Sequence, residues 1–73
     1  MSISPRTFTY MGYEGSREFS VADNVYHGKI MHIDDLVTYE ANTLSELKAA
    51  FEDAVDDYLL YRMRLQLKEL ETI

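Results

Sequence analysis

The sequence predicts an α+β fold: an antiparallel three-stranded meander, in the order β-β-β-α, packed on one long amphipathic helix. Thr43–Leu60 has the period, the cap and the charge pattern of such a helix. Between Thr7 and Glu40, runs of β-forming residues are separated by turn-forming clusters. Only Ala41 and Asn42 lie between the last of these runs and Thr43, a link so short that sheet and helix must be neighbours.

Residues 1–6 carry little apolar content and read as a flexible N-terminus. From Thr7 to Ser20 the chain bears Phe8, Tyr10, Tyr13 and Phe19, interrupted by Gly12 and Gly15, and reads as one long, bent strand. In Val21–Asn24, Asp23 and Asn24 favour a turn by bonding their own backbone and tolerating positive φ. Val25 to Met31 alternates Val25, His27 and Lys29 with Tyr26, Gly28 and Ile30, and the second set is expected to face the helix. His32–Asp35 is the next turn, and Leu36–Glu40 the third strand, with Val37 and Tyr39 on one face.

In the helix, Leu47, Ala50, Phe51, Ala54, Val55, Tyr58 and Leu59 recur at steps of three and four and form one stripe. Thr43 followed by Glu46 is a capping box that places its start. Glu46, Glu52, Asp53, Asp56 and Asp57 avoid the stripe and make the other side acidic. After Leu60 the apolar residues Leu60, Met63, Leu67 and Leu70 keep the same steps but fall nearly opposite the first stripe. No Gly or Pro interrupts the segment. The helix is therefore expected to outrun a domain spanning residues 7–60, with residues 61–73 as a helical extension and Leu60, Met63, Leu67 and Leu70 as an oligomer interface.

The totals narrow the function. A 73-residue chain is one small domain that buries only roughly 60% of its unfolded surface, so association is a natural source of added stability. It has no cysteine, which excludes disulfides and thiolate metal sites. No long apolar run or basic-plus-apolar leader is visible, and a soluble, cytoplasmic protein away from membranes is expected. Thirteen acidic against seven basic residues give a net charge of −6, the wrong sign for a chain that binds nucleic acid directly and alone. A basic protein partner suits that charge, although solubility alone also explains it.

Residues that could carry chemistry do not form a recognisable catalytic set. Asp34–Asp35 falls in a turn and Asp56–Asp57 on a solvated helix face, where carboxylates are common for structural reasons. Asp57 lies nearest the stripe, within reach of a strand end. His27 and His32 are an odd number of residues apart and do not converge on one ion. No nucleophile–histidine–acid spacing, phosphate loop or metalloprotease motif is present, so no enzyme activity, metal or other cofactor is expected. Six tyrosines supply amphipathic contact groups, of which Tyr26 and Tyr58 read as core and Tyr13, Tyr39 and Tyr61 as partner contacts. Tyr13 and Tyr39, together with Arg17, His27 and Lys29 of the presumed open sheet face, make the candidate partner-binding set.

The ordered strings Gly15–Phe19 (GSREF), Tyr26–Ile30 (YHGKI), Ile33–Leu36 (IDDL), Tyr39–Thr43 (YEANT) and Glu46–Leu59 (ELKAAFEDAVDDYL) resemble the HicB family of bacterial antitoxins over roughly residues 10–60. AF followed by AVDDYL, after a meander with GK in its second strand, is the specific part. The resemblance implies a partial RNase H-like β-β-β-α domain, often with a further strand. It implies the antitoxin of a type II toxin–antitoxin pair that occludes a small, basic, RNA-cleaving toxin of the HicA kind. Members commonly continue into a C-terminal DNA-binding segment, which this sequence lacks before Ile73, so operator binding by this polypeptide alone is not expected. Two alternatives accompany that expectation: an orphan structural or regulatory module that self-associates without a toxin, and a divergent Mg²⁺-dependent nuclease using Asp34, Asp35 or Asp56.

Overall fold

A computed structural model describes residues 7–71, with side chains through Leu67. The N-terminal residues 1–6, the last two residues and the side chain of Leu70 lie outside that description. The elements run β1 (Thr7–Tyr10), β2 (Tyr13–Ser16), β3 (Glu18–Ser20), β4 (Val25–Lys29), β5 (Thr38–Ala41) and α1 (Leu44–Glu71). This is the strand–strand–strand–helix arrangement expected from the sequence, with one change at its start.

The segment expected as a single bent strand is a hairpin followed by a third strand. β1 folds back antiparallel on β2, with Tyr10 opposite Tyr13 and only Met11 and Gly12 between them. Both turn residues have positive φ, 54° and 82°, as a two-residue turn with the twist of its flanking strands requires. Gly12 takes that conformation freely, whereas a methionine there is uncommon. The methionine hid the turn from a reading based on residue type.

From Gly15 to Ser20 the chain does run as one extended path along β4. Gly15 bridges Ile30, and Glu18, Phe19 and Ser20 pair with His27, Tyr26 and Val25 in the same register. Between those stretches the ladder is interrupted at Ser16 and Arg17, and side chains repair it. The amide of Lys29 donates to Ser16 Oγ at 3.0 Å, while the carbonyl of Ser16 accepts from the Tyr39 hydroxyl at 2.7 Å. To reach that hydroxyl the Ser16 carbonyl lies directly over Gly28, where any Cβ would collide with it. Gly28 is thus required by a close backbone approach.

The remaining turns follow the sequence. Asn24 takes φ 54° at the end of the β3–β4 connection, and the Asp23 amide donates to Ser20 Oγ. His32 takes φ 63° after β4. β5 pairs antiparallel with β4, Gly28 opposite Tyr39 and His27 opposite Glu40. β3, β4 and β5 therefore form a three-stranded sheet in sequence order, joined to the β1–β2 pair through the Gly15–Ile30 bridge.

Helix α1 starts where the capping box places it, with the Glu46 amide donating to Thr43 Oγ1 at 3.1 Å. Leu47, Phe51 and Val55 are fully buried and Tyr58 nearly so, with Ala50, Ala54 and Leu59 packed beside them. They meet Phe8, Ile30 and Tyr39 from the sheet. Phe51 is the hub: its ring stacks on Phe8 at 5.7 Å and meets Tyr39 at 5.6 Å. At roughly 1.5–3 kcal/mol for each large buried side chain, this stripe is the main source of stability. Among the described residues no buried side-chain polar atom lacks a hydrogen-bond partner.

The helix then continues unbroken past the sheet. The radius of gyration, 14.7 Å, exceeds the roughly 11 Å of a spherical domain of this length, and the long axis reaches 51 Å. Leu60, Met63 and Leu67 are 52%, 59% and 57% exposed. No helix among the described residues is long and apolar enough to cross a membrane.

Candidate functional site

The strand pairing separates the residues expected to form one partner-binding patch. His27 and Lys29 share the sheet face away from the helix, but His27 stands between Glu18 on β3 and Glu40 on β5. That row is net acidic, and Lys29 is the cation beside it. Arg17, next to Glu18 in the chain, turns to the other side and lies over the Phe8 ring at 5.6 Å. Arg17 therefore covers the core edge and does not join His27 and Lys29.

Tyr39, expected as a partner contact, is a core residue. It is only 8% exposed, packs on Phe51, and spends its hydroxyl on the Ser16 carbonyl. Tyr13 is half-buried, its ring edge-on to Tyr58 at 5.8 Å, and leaves only part of its surface for a partner. Tyr61, the third tyrosine of that expectation, is exposed on the helix.

Burial raises the Tyr39 phenol from its ordinary value of 10.0 to about 12. The unfolded chain then loses this proton first as pH rises. Stability contributed by Tyr39 is complete below pH 10 and declines as pH climbs from 10 toward 12. A urea midpoint that falls over this interval in the wild type, and falls less in Tyr39→Phe, is the expected result. Equal slopes in the two proteins would contradict the assignment.

The carboxylates do not gather. No group of three or more His, Asp or Glu side chains placed to hold a metal ion occurs among the described residues. Asp56 accepts from the Tyr10 hydroxyl at 3.2 Å, and its charge holds that phenol above its ordinary pKa. Asp56 thus makes the strand contact expected of Asp57, which instead faces a groove. His32 sits beside Glu14 at 3.4 Å, both well exposed.

What the sequence did not reveal is a groove of about 470 Å³ between α1 and the irregular segment leading into β5. Leu36, Val37 and Thr38 form one wall, Ala54, Tyr58 and Tyr61 the other, and Asp35 and Asp57 stand at its rim. Leu36, expected inside the third strand, precedes it and is 80% exposed. Arg62 continues the helix wall, its guanidinium donating to the Tyr58 hydroxyl at 3.2 Å. The groove is open beside β5; Val37 just before that strand, and Tyr39 and Ala41 within it, face β4 in bonding positions, while Thr38 and Glu40 direct their backbone groups away from β4. The site thus combines exposed apolar side chains, two carboxylates and a strand edge that has no partner among the described residues. That combination suits an extended or apolar segment flanked by cations.

The chain matches no model of a known protein family, no curated protein and no solved structure.

Proposed function

We propose that the chain is a protein-binding module of the HicB antitoxin kind, which neutralises a small, basic, HicA-like RNA-cleaving toxin by covering it. The observation that carries this reading is the groove: Leu36 on one wall and Tyr61 on the other, both exposed, with Asp35 and Asp57 at the rim. Apolar anchors with carboxylates beside them suit a partner that brings cations. The net charge of −6 adds long-range attraction to such a partner. The strings that resemble HicB also build the walls of this groove, IDDL on one side and AVDDYL on the other.

The test is titration of the purified chain against a purified HicA-like toxin encoded beside it, together with rescue of growth when both are expressed. Binding and rescue are expected, and Leu36→Lys is expected to weaken binding about thirtyfold or more, the loss of roughly 2 kcal/mol typical of a central contact. Circular dichroism of the variant should be unchanged, because Leu36 lies outside the core. A wild-type chain that neither binds nor rescues would overturn the reading.

A further inference from the structure

β5 carries two sets of backbone groups. Tyr39 and Ala41 bond β4, whereas Thr38 and Glu40 turn their N–H and C=O away from it, toward an edge with no strand partner among the described residues. Exposed edges are commonly blunted by lysine, proline or a bulge. β5 (TYEA) contains neither residue, and its pairing with β4 runs in unbroken register. The helix-facing side of the same edge opens into the groove of about 470 Å³ between Thr38 and the Ala54, Tyr58 and Tyr61 wall. Outward backbone groups and a space for side chains thus lie side by side, as the addition of a strand requires.

We propose that this edge takes one extended segment of a basic partner as an added antiparallel strand, with apolar side chains turned into the groove and lysine or arginine on the outer face. The alternation follows from the pairing. A residue directly opposite Thr38 or Glu40 exchanges both backbone bonds with it and places its side chain on the exposed face. The residue between them, opposite Tyr39, points to the helix side. Cations suit the outer positions because Glu40 ends the row Glu18, His27, Glu40 across that face, while Asp35 and Asp57 stand at the rim of the groove. Among the described residues none of Asp35, Glu40 and Asp57 has an ion-pair partner. Arg62, farther along the helix wall, is engaged with the Tyr58 hydroxyl. The same charges argue against a second copy of this chain on the edge, since pairing β5 with itself would bring the carboxylates of two edges together between molecules of net charge −6. Antiparallel is the direction of β1–β2, β3–β4 and β4–β5, and the more stable pairing per residue.

This inference rests on the reading of the groove as a binding site for a basic partner, and a peptide tests it without the toxin. The probe is acetyl-Lys-Val-Lys-Val-Lys-Val-amide, compared with acetyl-Lys-Lys-Lys-Val-Val-Val-amide, which has the same charge and composition. Each is titrated into the chain and followed by nuclear magnetic resonance of the backbone amides. The alternating peptide is expected to bind about tenfold or more tightly than its isomer and to shift the Thr38 and Glu40 amides. N-methylation of its lysine amides should abolish that advantage, because those N–H groups face β5, while N-methylation of its valine amides should leave it. Thr38→Pro removes one outward N–H at the first residue of an edge strand, where proline is tolerated, and should weaken binding about tenfold. Thr38→Val keeps the N–H and should bind as the wild type does. Equal binding of the two isomers, loss of affinity on methylating valine instead of lysine, or full affinity in a folded Thr38→Pro would each overturn the proposal. So would a dimer of the chain alone, seen by sedimentation, that Thr38→Pro dissociates, since it would give the edge to a second copy. The peptide comparisons stand whether or not Thr38→Pro folds. A toxin that binds while these tests fail removes only the added strand, whereas a toxin that does not bind removes that partner and leaves the peptide result in place.

Discussion

Phe51→Ala is expected to lose about 3–5 kcal/mol of folding stability, the usual cost of emptying a fully buried aromatic site. Phe51 is 0% exposed and joins the helix to the sheet through Phe8 on one side and Tyr39 on the other. Little can collapse into the space, because Leu47 and Val55, one turn away on either side, are themselves fully buried. A chain of 73 residues has a total stability of roughly 0.05–0.15 kcal/mol per residue, so this one change removes much of it. Urea unfolding followed by circular dichroism should show the midpoint drop to near zero denaturant. A shift below about 1 kcal/mol would mean that Phe51 is not the hub of the core.

Gly28→Ala is expected to cost about 2–4 kcal/mol, although it adds only a methyl group to a strand. The added Cβ falls on the carbonyl of Ser16, which is backbone and cannot rotate away as a side chain could. Relief requires the Ser16–Arg17 segment to lift from β4, and the lift breaks the 2.7 Å bond from the Tyr39 hydroxyl. The two effects are therefore coupled. Tyr39→Phe should destabilise the wild type by about 1 kcal/mol but cost markedly less in the Gly28→Ala background, where its bond is already strained or lost. Strict additivity of the two changes, measured by the same unfolding midpoints, would show that the carbonyl does not have to move.

The parts of this fold written in local periodicity were legible. Leu47, Phe51, Val55 and Tyr58 repeat at helical steps and are buried; Thr43 caps; Tyr26, Gly28 and Ile30 alternate and face inward. The parts that depend on register were not. Strand alternation places Arg17 and Glu18 on opposite faces, but which of them joins His27 depends on how β3 pairs with β4, and no local pattern specifies that pairing. Tyr39 illustrates the same limit. A tyrosine near a strand end resembles a contact residue until the acceptor that buries its hydroxyl is known, and that acceptor lies 23 residues away on β2. The groove was hidden because its walls, Leu36–Thr38 and Ala54–Tyr61, are brought together only by the docking of helix on sheet. The exposed stripe was visible in advance because a helix that changes its apolar side declares two surfaces.

That helix is one continuous rod carrying two kinds of residue environment. From Leu47 to Tyr58 its turns are clamped against the sheet, and beyond Tyr61 they extend past it. Backbone amides in the clamped part can exchange with solvent only when the whole domain opens, while those beyond it need open only their own turns. Hydrogen exchange should therefore slow along α1 toward Phe51 and quicken toward Leu67, all within a single unbroken element. Anything that covers the extension would slow the fast end selectively, so the helix carries within itself a gauge of its own occupancy.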